Sequence, residues 1–85
     1  MKFSEWKAIT MRKLLELRKK YEEAGNAKAV SDLSFLIDKL NYLRSRDLSS
    51  FMFYMHVVIR DTKITELYEL LPSIDDVKDF FSEEQ

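Results

Sequence analysis

The chain of 85 residues contains no cysteine, one glycine, one proline and one histidine. Without cysteine it has no disulfide framework, thiol nucleophile or thiolate metal site. A single histidine excludes a multi-histidine metal centre. So few glycine and proline residues argue against loop-rich folds and most all-β sandwiches, because those folds need many turns.

Long hydrophobic runs are lacking as well. The longest uncharged stretch, Leu48–Ile59, is far shorter than the roughly 20 residues that a membrane-spanning helix needs. The first residues also lack the apolar segment of a signal peptide. We therefore expect a cytoplasmic protein with no membrane partner. The length suits one small domain over residues 1–85, and the 46% hydrophobic content is typical of a globular chain.

Apolar residues in the first half predict two long helices, over residues 4–24 and 27–45. Ser4 is the expected N-cap of the first helix, Gly25 its left-handed stop and Asn26 the N-cap of the second. Apolar positions recur at alternating spacings of four and three, at Thr10, Leu14, Leu17, Tyr21 and Ala24, and at Ala29, Leu33, Leu36, Leu40 and Leu43. Two such stripes joined by a short turn predict an antiparallel helical hairpin.

Residues 48–60 are rich in strand-forming side chains, so helix and strand must be weighed against each other. Phe53, His56 and Arg60 fall on one helical face, and most of the large apolar residues fall on the opposite face. A strand here would have no partner elsewhere in the chain. The pattern therefore predicts a helix, with Asp47 as its N-cap.

The last third of the chain predicts two short helices. One covers residues 63–71 and ends before Pro72; the other covers residues 74–82 and begins with a capping box of Ser73 and Asp76. The residues expected inside are Ile64, Leu67, Tyr68 and Leu71, followed by Ile74, Val77, Phe80 and Phe81. The whole chain is thus predicted to be a small all-α bundle, a long hairpin with two or three shorter helices laid across it.

Candidate catalytic groups do not converge. His56 has no carboxylate neighbour on its own helix, and adjacent acids such as Asp75 and Asp76 point about 100° apart on a helix. The chain also lacks a glycine-rich phosphate loop, a dinucleotide motif, a zinc-protease motif and a calcium loop. We therefore expect a non-enzymatic protein that holds no cofactor and no metal.

Charge is distributed unevenly. Residues 1–20 contain seven Lys or Arg and two acidic residues, whereas residues 61–85 contain two Lys and eight acidic residues. These ends can attract each other within the chain or between chains. The acidic last helix is therefore expected either to dock into a groove of a basic partner or to pack back onto the first helix.

The protein-binding interpretation depends on aromatic residues outside the apolar stripes. Phe35 and Tyr42 lie on the side of the second helix away from its leucines, and Phe53 lies among polar residues; such rings are typical interface anchors. We predict a small regulatory protein, of a type common in viruses and bacteria, that binds another protein as inhibitor or adaptor and forms a homodimer. Its expected contact residues are Phe35, Tyr42, Phe53, Arg46, His56 and Arg60. The open alternative is that the shorter helices cover these rings.

A nucleic-acid-binding regulator is the alternative function. Arg12, Lys13, Lys19 and Lys20 form the basic side of the first helix and could meet phosphates. Glu5, Glu16 and Glu23 interrupt that side, and the isoelectric point of about 5.8 is low for such a protein. Protein binding is therefore the favoured prediction.

Overall fold

A computed structural model describes residues 1–83 and confirms the all-α bundle. The described residues contain no strand and form four α-helices and two short 3-10 helices. The elements are α1 (Phe3–Glu23), α2 (Ala27–Asn41), a 3-10 helix (Ser45–Asp47), α3 (Leu48–Thr62), a second 3-10 helix (Thr65–Leu70) and α4 (Ile74–Ser82). α1 and α2 form the predicted hairpin, α3 packs on α2, and the bundle measures 44 × 20 × 19 Å.

The start of α1 differs from the prediction. Ser4 lies inside the helix, and Lys2 at the N-cap position makes no side-chain hydrogen bond. The first helical amide, that of Phe3, instead donates to both carboxylate oxygens of Glu83, at 3.1 and 3.2 Å. A carboxylate from the far end of the chain thus satisfies a donor that has no partner within its own helix. The prediction of Ser4 as N-cap was wrong, because the group that caps α1 belongs to a residue far away in the sequence.

The turn between α1 and α2 follows the prediction. Gly25 has a φ of 72°, the left-handed conformation that ends many helices. The Asn26 side chain then accepts a hydrogen bond of 3.1 Å from the amide of Ala29, so it caps α2 as expected. Leucines of the two helices meet in the core, where Leu14, Leu33 and other stripe positions are fully buried.

α2 ends at Asn41, four residues before the predicted end. The Lys7 ammonium donates to the carbonyls of Asn41 and Leu43, at 3.2 and 3.1 Å. Carbonyls at a helix C-terminus lack helical partners and carry partial negative charge, so a lysine satisfies them well. Leu43, two residues beyond the end of α2, is still buried.

The helix predicted over residues 48–60 is confirmed as α3 and extends to Thr62, but the following segment is not an α-helix. Asp47 occupies the N-cap position of α3 without a side-chain hydrogen bond. Residues Thr65–Leu70 form a 3-10 helix, whose period is three residues per turn. That period brings Ile64, Leu67 and Leu70 inward, and Tyr68, which was expected inside, is exposed.

α4 begins with the predicted capping box: the Asp76 amide donates to the Ser73 hydroxyl at 3.0 Å, and the Ser73 amide donates to the Asp76 carboxylate at 3.3 Å. Phe80 is fully buried, with its ring centroid 5.5 Å from that of Phe3 and 5.8 Å from that of Trp6. The acidic helix therefore packs back onto α1. Of the residues expected inside α4, Ile74 and Phe81 are exposed instead.

Candidate protein-binding surface

The outer face of α2 presents two uncovered rings. Phe35 and Tyr42 lie seven residues apart, so they share one side of the helix, away from the buried Leu36 and Leu40. Phe35 is 42% exposed and Tyr42 is 83% exposed. The shorter helices therefore leave most of Tyr42 and part of Phe35 uncovered, and α3 contacts Phe35 through Tyr54.

α3 contributes two more rings next to Phe35. The Tyr54 ring lies edge-on to Phe35 at 5.3 Å between centroids, and it meets the Phe53 ring at 6.2 Å. Phe53 itself is 64% exposed. Tyr54 thus joins the ring of α2 to the exposed ring of α3. We call Phe35, Tyr42, Phe53 and Tyr54 the aromatic surface.

A lysine lies over two of these rings. The Lys39 ammonium is 5.5 Å from the Phe35 centroid and 5.8 Å from the Tyr54 centroid. Lys39 follows Phe35 by four residues on α2, which places both side chains on one face of the helix. Attraction between the ammonium and the electron-rich ring faces links α2 to α3 at this point.

Between α2 and α3 runs a groove of about 790 Å³. Its walls include Phe35, Tyr42 and Tyr54, and it also contains Leu43 and Phe51, both buried in the core. Its size is within the range of sites that hold small ligands or a few side chains of a partner. The full lining is Phe35, Asp38, Lys39, Tyr42, Leu43, Asp47, Ser50, Phe51 and Tyr54. We call it the α2–α3 groove.

Two carboxylates line the groove. Asp38 is exposed on α2, and Asp47 is exposed at the start of α3. Neither side chain forms an ion pair or a hydrogen bond with any residue in the described range 1–83. The groove therefore combines aromatic walls with two free negative charges and the single positive charge of Lys39.

The polar residues predicted to flank the rings lie at different places. Arg46 is exposed beside Asp47 but does not line the groove. His56 lies further along α3 and meets the Tyr68 ring at 6.5 Å. Arg60 is exposed in the last turn of α3 and pairs with the adjacent Asp61 at 3.3 Å. The predicted contact set thus divides between the groove and the far end of α3, with Phe53 between them.

The basic side of α1 is partly paired with acids. The Lys20 ammonium forms an ion pair of 3.1 Å with Glu66, and Lys13 lies 3.9 Å from Glu16. Arg12 and Lys19 are exposed and form no ion pair with a described residue. Of the four residues proposed to contact nucleic acid, two are thus engaged within the chain. Nucleic-acid binding stays a prediction.

The Lys20–Glu66 pair shifts the titration of both groups. Its hydrogen bond raises the pKa of Lys20 above the ordinary value of 10.5. The same hydrogen bond lowers the pKa of Glu66 below the ordinary value of 4.5. Each shift favours the charged form, so the pair stabilises the contact between α1 and the second 3-10 helix.

Sequence reasoning missed two central residues of the surface, Tyr54 and Lys39. Tyr54 was hidden among the apolar residues of α3, where only the distance to Phe35 reveals its part. The position of Lys39 beside Phe35 could have been predicted, because a lysine four residues after an aromatic residue lies on the same face of a helix. Asp47 was considered only as a helix cap.

Neither family models, nor curated proteins, nor solved structures match the chain. Within residues 1–83, no cluster of three or more histidine and acidic side chains is placed to hold a metal ion. None of the described helices is both long enough and apolar enough to cross a membrane.

Proposed function

We propose that this chain is a non-enzymatic regulatory protein of the inhibitor or adaptor type, which binds another protein through the aromatic surface. The observation that carries the proposal is the exposure of Phe35, Tyr42 and Phe53 on two adjoining helices, linked through Tyr54. Single exposed rings are common on protein surfaces, but adjoining large rings beside a groove are characteristic of interaction sites.

The arrangement of the rings also favours binding. Phe35 and Phe53 each contact Tyr54, and the Lys39 ammonium lies over the rings of Phe35 and Tyr54. Side chains that are already held in place lose less conformational entropy when a partner binds. α3 beneath them is anchored by the buried Phe51, so a partner meets a preformed surface.

Self-association is the second part of the proposal. Phe53 and Tyr68 are exposed around His56, and Arg60 lies one helical turn further along α3. Apolar rings surrounded by polar groups that can donate hydrogen bonds are common in homodimer interfaces. We therefore expect a homodimer, which light scattering of the purified chain over a range of concentrations measures directly.

The experiment that tests the function is a double variant, Phe35→Ala with Tyr42→Ala. We expect its circular dichroism melt to fall by no more than a few degrees, because Tyr42 is mostly exposed and Phe35, although it contacts Tyr54, lies outside the buried core. We expect cross-linking to a partner protein, in a lysate of the native host, to be lost. The matched control is Ile9→Ala with Leu15→Ala, which removes two similarly exposed apolar side chains from α1 and should cross-link as the wild type does.

Two results would contradict the proposal. A melt lowered by many degrees in the double variant would show that the rings belong to the core. Equal cross-linking by wild type, double variant and control would show that the contact does not use these rings.

A further inference from the structure

The α2–α3 groove already accommodates a cation of its own chain. The Lys39 ammonium lies within 6 Å of two ring centroids, at 5.5 Å from Phe35 and 5.8 Å from Tyr54. At such distances a ring face attracts a positive charge, and the attraction grows as water is removed from the contact. The third ring of the groove, Tyr42, is 83% exposed and has no cation over it in the described part of the chain.

The charges of the groove point to the same kind of ligand. Asp38 and Asp47 lack ion-pair partners among the described residues, and Lys39 supplies the only positive charge of the lining. The lining is therefore net negative. A cationic group that enters beside Tyr42 would meet a free ring face and free carboxylates together.

From these contacts we infer that the α2–α3 groove binds a segment of the partner protein in which a lysine or arginine is flanked by apolar residues. The apolar residues would cover the exposed parts of Phe35 and Tyr42 above Leu43 and Phe51. A second copy of this chain fits the groove less well, because two copies face to face would bring together linings of the same net charge. This inference rests on the proposed function and adds the chemistry of the partner to it.

The probes are three short synthetic amphipathic peptides with the same leucine face. Their polar faces carry lysine, glutamine or glutamate, so that charge is the only variable. Binding to the full chain is followed by fluorescence anisotropy of the labelled peptide at low salt and at high salt. We expect the lysine peptide to bind about tenfold or more tightly than the glutamate peptide, with the glutamine peptide in between and the difference shrinking in high salt.

Two double variants locate the effect. Asp38→Asn with Asp47→Asn should weaken binding of the lysine peptide about tenfold and leave the glutamine peptide almost unchanged. The control, Glu23→Gln with Glu69→Gln, changes the net charge of the chain equally at exposed acids away from the groove, and should bind as the wild type does.

The possible outcomes separate this inference from the proposed function. Equal affinity for all three peptides, lost in Phe35→Ala with Tyr42→Ala, overturns the cationic segment but supports binding through the rings. Failure of every peptide to bind also overturns it; if the rings are then required for dimer formation, the occupant is a second copy. Peptide binding that survives Phe35→Ala with Tyr42→Ala places the peptide site elsewhere and overturns this inference, while the proposed function is decided separately by the cross-linking experiment.

Discussion

The indole nitrogen of Trp6 donates a buried hydrogen bond of 2.9 Å to the carbonyl of Leu70. This bond joins the first turn of α1 to the end of the second 3-10 helix, 64 residues along the chain. The Trp6 ring also meets Phe51 edge-on at 6.0 Å and Phe80 at 5.8 Å. Trp6 therefore connects α1 to α3, to the second 3-10 helix and to α4.

Replacement of this indole should be strongly destabilising. Trp6→Phe keeps an aromatic ring but removes the donor and some volume, which leaves the Leu70 carbonyl buried without its partner. We expect the free energy of unfolding to fall by about 2–4 kcal/mol. Urea unfolding followed by circular dichroism measures the change, because the variant lacks the tryptophan needed for fluorescence.

The matched control for that variant is Leu15→Ala, on the same helix at an exposed position. It should change the free energy of unfolding by about 0.5 kcal/mol or less. A loss in Trp6→Phe no larger than that of the control would contradict the structural part assigned to the indole.

Replacement of the buried Thr10 should stabilise the chain, in contrast to replacement of Trp6. Its side chain is 1% exposed, and its hydroxyl has no hydrogen-bond partner within the described residues. Thr10→Val keeps the branched shape and removes the unpaired hydroxyl, so we expect the free energy of unfolding to rise by about 1 kcal/mol. Thr10→Ser, which keeps the hydroxyl and loses a methyl group, should be destabilising in the same urea experiment. A destabilised Thr10→Val would show that the hydroxyl is satisfied after all.

Local signals were enough to predict much of the fold. The leucine spacing of the first two helices, the left-handed Gly25 and the capping box of Ser73 each act within a few residues, so a single sequence displays them. The features that were missed act over long distances: the Glu83 cap on Phe3, and the Lys7 ammonium on the carbonyl of Leu43. No local pattern encodes a partner 80 residues away.

The candidate surface was predictable to a similar extent. The exposure of Phe35 and Tyr42 follows from their position away from the leucine face of α2. The contact of Tyr54 with Phe35 does not follow, because it depends on how α3 lies against α2. The exposure of Tyr68 was not predicted either. The prediction assumed an α-helix, whereas the segment is a 3-10 helix, whose shorter period turns Tyr68 outward.

Substitution of Lys63 tests whether the backbone after α3 is strained. It follows α3 in the left-handed conformation, with a φ of 62°, which side chains with a Cβ seldom adopt. Lys63→Gly should relieve this strain and raise the free energy of unfolding by up to about 1 kcal/mol. Lys63→Ala is the matched control, since it removes the same side chain but keeps the Cβ, and it should bring no gain. Equal effects of both variants in urea would assign the change to the side chain.

The Lys20–Glu66 pair predicts a defined dependence of stability on pH. The pKa of Glu66 is lowered in the folded chain, so its contribution is present above pH 4.5 and is lost as the pH falls through the folded pKa. The pKa of Lys20 is raised, so its contribution is present below pH 10.5 and is lost as the pH rises through the folded pKa. The difference in unfolding free energy between wild type and Glu66→Gln should therefore be constant between these values and shrink on either side. High salt should reduce this difference at every pH, because the pair is exposed.

The control for this prediction is Glu69→Gln, at an acid of the same 3-10 helix that has no ion pair among the described residues. Its difference from the wild type should show no such plateau. A plateau of the same shape in both variants would contradict the assignment to the Lys20–Glu66 pair.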